Sequence, residues 1–114
     1  MMRARPFDRY ARTAPVFAAL GDPTRLRMVA RLCTDGPQSI VRLTEGTRVT
    51  RQAITKHLEA LADAGVVRSR RDGRERIWEV EPSRLADASR YLDQISSQWD
   101  RAIERLRAFV EDPE

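Results

Sequence analysis

The chain has 114 residues, 41% hydrophobic and 33% charged, with a net charge of +4; this fits one domain with a modest core and is too apolar for a disordered chain. One cysteine and one histidine rule out an intramolecular disulfide and argue against a soft-metal site or a histidine-based catalytic relay. No apolar run approaches a membrane span, and no signal-peptide core follows the basic N-terminus, so the expected location is the cytoplasm.

Residues 1–12 are rich in arginine and are expected to form a flexible basic arm, either touching a polyanion or simply solvated. Val16, Phe17 and Leu20 mark a short apolar helix face. Asp22-Pro23 then reads as a helix start, with Asp as N-cap and Pro at the first helical position. Leu26, Val29, Ala30 and Cys33 recur at helical spacing, which places Cys33 in the core. Asp35-Gly36-Pro37 ends that helix. Ser39 caps a very short helix over Ile40–Leu43, closed by Gly46. Thr50 caps the next, in which Ile54, Leu58 and Leu61 lie on one face and Gly65 is the stop.

The period then changes. Val66–Arg71 and Arg74–Val80 are strand-like runs around Asp72-Gly73, a strong short-range hairpin signal, with Trp78 as the core of that hairpin. Pro82-Ser83 opens the last and longest segment. Leu85, Ala88, Leu92, Ile95, Trp99, Ala102, Leu106 and Phe109 alternate in spacings of 3 and 4, a heptad stripe. A helix of that length, about 40 Å, exceeds a small domain. Its far stripe therefore needs another surface, most simply a second copy of itself. Glu111-Asp112 reads as a solvated acidic chain end rather than a catalytic carboxylate pair.

The fold class is mainly α with a small β-hairpin: a winged helix-turn-helix over residues 13–82, followed within the same compact domain by a long C-terminal dimerisation helix over 83–112. A helix-turn-helix holds its second helix proud of the body, where it can enter a DNA major groove about 12 Å wide. Near the start of that helix stand Arg51, Gln52, Thr55 and Lys56, with Arg48 just before; none is acidic, and all suit base edges or phosphates. Ser39, Arg48 and Thr50 are expected to anchor phosphates or cap helices. Arg70, Arg71, Arg74 and Arg76 are expected to hold the backbone beside the groove. His57 is read as a packing or phosphate-contacting residue.

All but Lys56 of the 21 basic residues are arginine, which suits phosphate recognition but also follows from a GC-rich genome. Segregation of charge is harder to explain that way. Residues 1–82 hold 16 basic and 10 acidic side chains, whereas 83–114 hold 5 and 7.

The run Val16-Phe17-Ala18-Ala19-Leu20-Gly21-Asp22-Pro23-Thr24-Arg25-Leu26-Arg27 resembles the opening of the ArsR/SmtB family of winged-helix repressors. Thr50-Arg51-Gln52-Ala53-Ile54-Thr55-Lys56-His57-Leu58 resembles the family's recognition helix. Leu61-Ala62-Asp63-Ala64-Gly65-Val66-Val67 with Asp72-Gly73-Arg74 resembles its passage into the wing. The resemblance implies a homodimer built from the first and last helices that binds inverted-repeat operators in double-stranded DNA and usually represses transcription. The dimer face is then expected at Val16, Phe17, Leu20, Leu92, Ile95, Trp99, Ile103 and Leu106.

The departures from the family pattern are specific. Metal-sensing members carry a cysteine pair in the short helix, where Ile40-Val41-Arg42-Leu43 has no thiol. Others use Asp and His on the last helix, which offers Asp87, Asp93 and Asp100 but no His. A dithiol switch needs two cysteines. The long last helix with Tyr91-Leu92 and Trp99 resembles a non-metal branch, and no metal or cofactor is expected. The rival readings are a winged-helix protein-interaction module pairing through its C-terminal helix and a winged helix of the MarR or PadR type. An enzyme is disfavoured, because the sequence has no Gly-rich phosphate loop and no metal-ligand cluster.

Overall fold

The computed structural model describes residues 6–111. It places helices α1 (Pro6–Leu20) and α2 (Pro23–Asp35), strand β1 (Gln38–Ser39), helices α3 (Ile40–Thr44) and α4 (Arg51–Asp63), strands β2 (Val67–Asp72) and β3 (Glu75–Val80), and helix α5 (Pro82–Glu111). The three strands form an antiparallel sheet in the order β1-β3-β2.

Helix starts follow the expected chemistry. The Asp22 carboxylate accepts from the backbone N–H groups of Thr24 and Arg25 at 2.9 and 3.1 Å. Thr50 Oγ1 accepts from Ala53 N at 3.1 Å and opens α4. Each hydroxyl or carboxylate satisfies a donor that the first helical turn leaves over. At the far end of α4, Gly65 turns the chain with φ +79°. Val66 then hydrogen-bonds back to Leu61 O at 2.9 Å and the chain enters the hairpin.

The core gathers Val16, Met28, Val29, Leu32, Leu43, Ile54, Leu58, Leu61, Val66, Val67, Trp78 and Ala88. It thus joins α1 and α2 to the helix-turn-helix, the base of the wing and the first turns of α5. The rest of α5 leaves this body behind. Its 30 residues span about 45 Å, and the radius of gyration is 19.2 Å, against about 13 Å for a compact domain of this size.

Three expectations are corrected. Helix α1 begins at Pro6, so the stretch expected as a loose arm is helical over 6–12; residues 1–5 lie outside the described residues. Cys33 is exposed, as is Leu26. Helix α2 carries two apolar stripes, and the one turned inward is Met28, Val29 and Leu32, not Leu26, Ala30 and Cys33. Val16 is 0% exposed and packs inside the core of its own chain, so it offers no surface to the dimer face expected of it.

Candidate nucleic-acid interface

Ile54, Leu58 and Leu61 bury the inner face of α4 almost completely. Because a helix returns to one face after three or four residues, this fixes Gln52, Thr55, Lys56 and Glu59 on the opposite side. Arg51, Gln52, Lys56 and Glu59 are exposed, and Thr55 is half-buried with its hydroxyl donating to Arg51 O at 2.9 Å. Asp63 is exposed as well, about 16 Å further along the helix than Gln52. The leading end of the outward face is therefore basic and amide-bearing, and its trailing end acidic.

Residues flanking α4 divide by burial. Arg48 is exposed in the turn and Thr50 is exposed as the N-cap. Ser39 is buried, with its Oγ accepting from Arg42 N at 3.3 Å. Of the two roles expected for Ser39, the geometry supports the cap, because a buried hydroxyl turned into its own helix cannot reach a phosphate.

Register sorts the wing arginines. Val67, Ser69 and Arg71 oppose Val80, Trp78 and Arg76, and since side chains alternate along a strand these six share one face. Arg68 opposes Glu79 on the other face and pairs with Glu79 at 3.0 Å and Glu81 at 2.6 Å. Arg70 stands 4.0 Å from Glu79, and Arg76 donates to Ser69 Oγ at 2.9 Å. Glu79 and Glu81 thus hold Arg68 beside the first turn of α5, while Arg71 and Arg74 are exposed near the tip. The carboxyl of Glu81 is itself held below the usual glutamate range, first by the Ser83 N–H and also by Arg68.

Two arginines of α2 that the sequence reading did not single out brace this arrangement. Arg25 Nε donates to His57 Nδ1 at 3.2 Å, and its Nη1 donates to Ala19 O at 3.3 Å. His57 accordingly faces α2 and accepts at Nδ1, a packing role within the family of roles expected for it. Arg31 donates to Leu43 O at 3.1 Å, Glu45 O at 3.2 Å and Arg42 O at 2.7 Å. Apart from Ala19, these partners lie 11 to 32 residues away and leave no trace in local periodicity.

A match to a helix-turn-helix domain family spans residues 20–70. Over 85 residues the chain is 35% identical to an HTH-type transcriptional regulator of Mycobacterium tuberculosis, covering 75% of this chain and 76% of that protein. The ArsR-like transcriptional regulator from Rhodococcus sp. RHA1 superposes with a TM-score of 0.74 at 38% identity, over 88% of this chain and 93% of that one. The chain belongs to the ArsR family of winged-helix transcriptional regulators. A homodimeric winged helix-turn-helix domain from Mycobacterium bovis shares the fold, with a TM-score of 0.62 at 21% identity over 88% and 89% of the two chains.

The ArsR-family assignment makes the chain a DNA-binding regulator rather than an enzyme. Among the described residues no group of three or more His, Cys, Asp or Glu is placed to hold a metal ion, and no helix is long and apolar enough to cross a membrane.

A second exposed surface runs along α5. Leu92, Ile95, Trp99, Ile103, Leu106 and Phe109 are all open, Trp99 by 67% and Phe109 by 75%. They continue the face that Leu85 and Ala88 turn to the core. Near its start, Tyr91 meets Tyr10 and Phe17 of α1 at ring distances of 5.7 and 5.9 Å. Phe17 and Leu20, both expected at the dimer face, are half-buried and packed against the core.

Proposed function

We propose that the protein is a homodimeric repressor that lays the start of α4 into the major groove of an inverted-repeat operator. The observation that carries this reading is the outward face of α4, where Arg51, Gln52, Thr55 and Lys56 precede any acidic residue. Arg and Lys suit guanine, Gln suits adenine and Thr suits either. Arg48 and Thr50 lie beside phosphates at the helix start, where free N–H groups favour anions. Arg71 and Arg74 reach the backbone from the wing, with Arg70 and Arg76 beside them.

The dimer rests on α5. A stripe of this length in water is unfavourable, and a second copy presents the same stripe at the same concentration. Pairing two subunits through it sets two copies of α4 at a fixed spacing, which an inverted repeat matches. Footprinting on the protein's own promoter tests the reading. Two protected half-sites in successive major grooves are expected. Absence of protection, together with stoichiometric capture of a foreign helical protein on α5, would instead establish an interaction module.

A further inference from the structure

Helix α3 has only five residues, so most of its carbonyls belong to the last turn, which a helix leaves without partners of its own. Four consecutive carbonyls, Arg42 to Glu45, point out of its C-terminal end and into the turn that launches α4. Thr47 takes that of Thr44, through its N–H at 3.2 Å and its hydroxyl at 2.9 Å. The other three all accept from the Arg31 guanidinium, at 2.7 to 3.2 Å, and that of Arg42 also accepts from the Glu45 N–H at 3.2 Å. The fork lies where the dipole of α3 favours a cation, and it is half-buried against α2. The guanidinium bonds these carbonyls from two separate nitrogens held in a rigid plane, whereas an ammonium offers a single nitrogen on a flexible stem.

We infer that Arg31, anchored on α2, is a positioning residue for DNA reading: it clamps the α3–α4 turn and so sets the pose of the helix bearing Arg51 and Gln52. Gly46, at φ +75°, gives that turn a residue free of side-chain restraint, and among the described residues Arg31 ties it to α2. Both of its terminal nitrogens are committed to carbonyls, so its charge acts on the turn and not on a phosphate. The inference rests on the DNA-binding reading of α4.

The test uses the full chain. Wild-type protein first selects a duplex from a random pool. Dissociation constants for that duplex and for a scrambled one of equal length are then measured for wild type, Arg31→Met and Arg31→Lys, at a temperature where each is fully folded. Arg31→Met is expected to lower the ratio of selected to scrambled affinity by about tenfold, in the range of one lost base contact. Arg31→Lys should recover only part of it. Amide hydrogen exchange over residues 45–50 should quicken in Arg31→Met before exchange in the core does. An unchanged ratio, or an equal loss on both duplexes, overturns the inference while leaving the DNA reading standing. A wild-type chain that selects no duplex overturns both.

Discussion

Arg71 and Arg76 stand directly opposite each other on the wing, and the next pair toward the tip, Asp72 and Glu75, is like-charged too. Opposed like charges weaken a strand pair by roughly 0.2–1 kcal/mol. A local rule broken in this way marks a place where something other than hairpin stability is served. A phosphate between two guanidiniums would relieve the repulsion on the Arg71 face.

Replacing Arg71 should therefore separate stability from binding. In Arg71→Thr the hairpin loses a repulsive pair and gains a strand-forming residue, so the unfolding midpoint should hold or rise. DNA affinity should fall to a similar degree on every sequence, and the slope of log affinity against log salt should shrink by about one contact. Titrations at several salt concentrations check this; an unaltered slope would remove Arg71 from the interface.

Gln52→Ala and Lys56→Ala should behave differently. Both side chains lie on the exposed face of α4, where truncation leaves the core intact. Each is expected to cost about 1–3 kcal/mol on the chosen operator where a base contact is lost, and much less on random DNA. Mobility-shift titrations with both duplexes decide the matter, and equal affinity for wild type and variant on the operator would clear these residues of base reading.

Much of this site was legible in the chain because its signals are local. Asp-Gly between two β-rich runs announces a hairpin, Thr50 announces a helix start, and the spacing of Ile54, Leu58 and Leu61 decides which side of α4 faces out. Strand β1 left no such mark, since two residues carry no period; only the ladder from Gln38 and Ser39 to Trp78 and Ile77 reveals it. Helix α2 misled because two apolar stripes fit its period equally well, and tertiary packing chose the one with Met28 and Leu32. The arginine braces were silent for a third reason. Arg31 and Arg25 act chiefly on chain segments distant in sequence, and twenty arginines in one chain hide the two that brace the motif.

At Gly65 the backbone sits at φ +79°, and a Cβ there would lie 3.0 Å from Arg84 Cγ and Nε. The Arg84 side chain can swing aside, so the lasting penalty of Gly65→Ala is conformational, about 1–2 kcal/mol for a left-handed L-residue. Urea unfolding should show the midpoint lowered with the slope unchanged. A variant as stable as wild type would mean that the turn adopts another path.

Asp22 links stability to pH. Its carboxyl lies below the ordinary value of 3.8, chiefly because the Arg25 N–H, and with it the Thr24 N–H, bonds the ionised form. A depressed folded-state value means that the contribution is fully present above the unfolded value and is lost as pH falls through the folded one. Asp22→Asn should thus be less stable than wild type at neutral pH, and the two thermal midpoints should converge as the pH drops below about 3.8. A gap that stays constant down the acid limb would show that the charge at this cap is irrelevant.

Trp99 offers the sharpest test of the proposed dimer. It is 67% exposed in the middle of the α5 stripe, with Ile95 and Ile103 one turn away on either side. In a single subunit Trp99→Asp should be well tolerated, since the side chain touches no core and the change exchanges exposed apolar surface for a solvated carboxylate. In a dimer built on α5 the same carboxylate would enter an apolar seam without a partner, which typically costs several kcal/mol. The variant should sediment as a folded monomer at concentrations where wild type is dimeric. Its operator affinity should fall steeply, because each half-site must then be bound independently. If the variant still sediments as a dimer, the subunits meet through some other surface, and the spacing of the two reading helices must be derived from that surface instead.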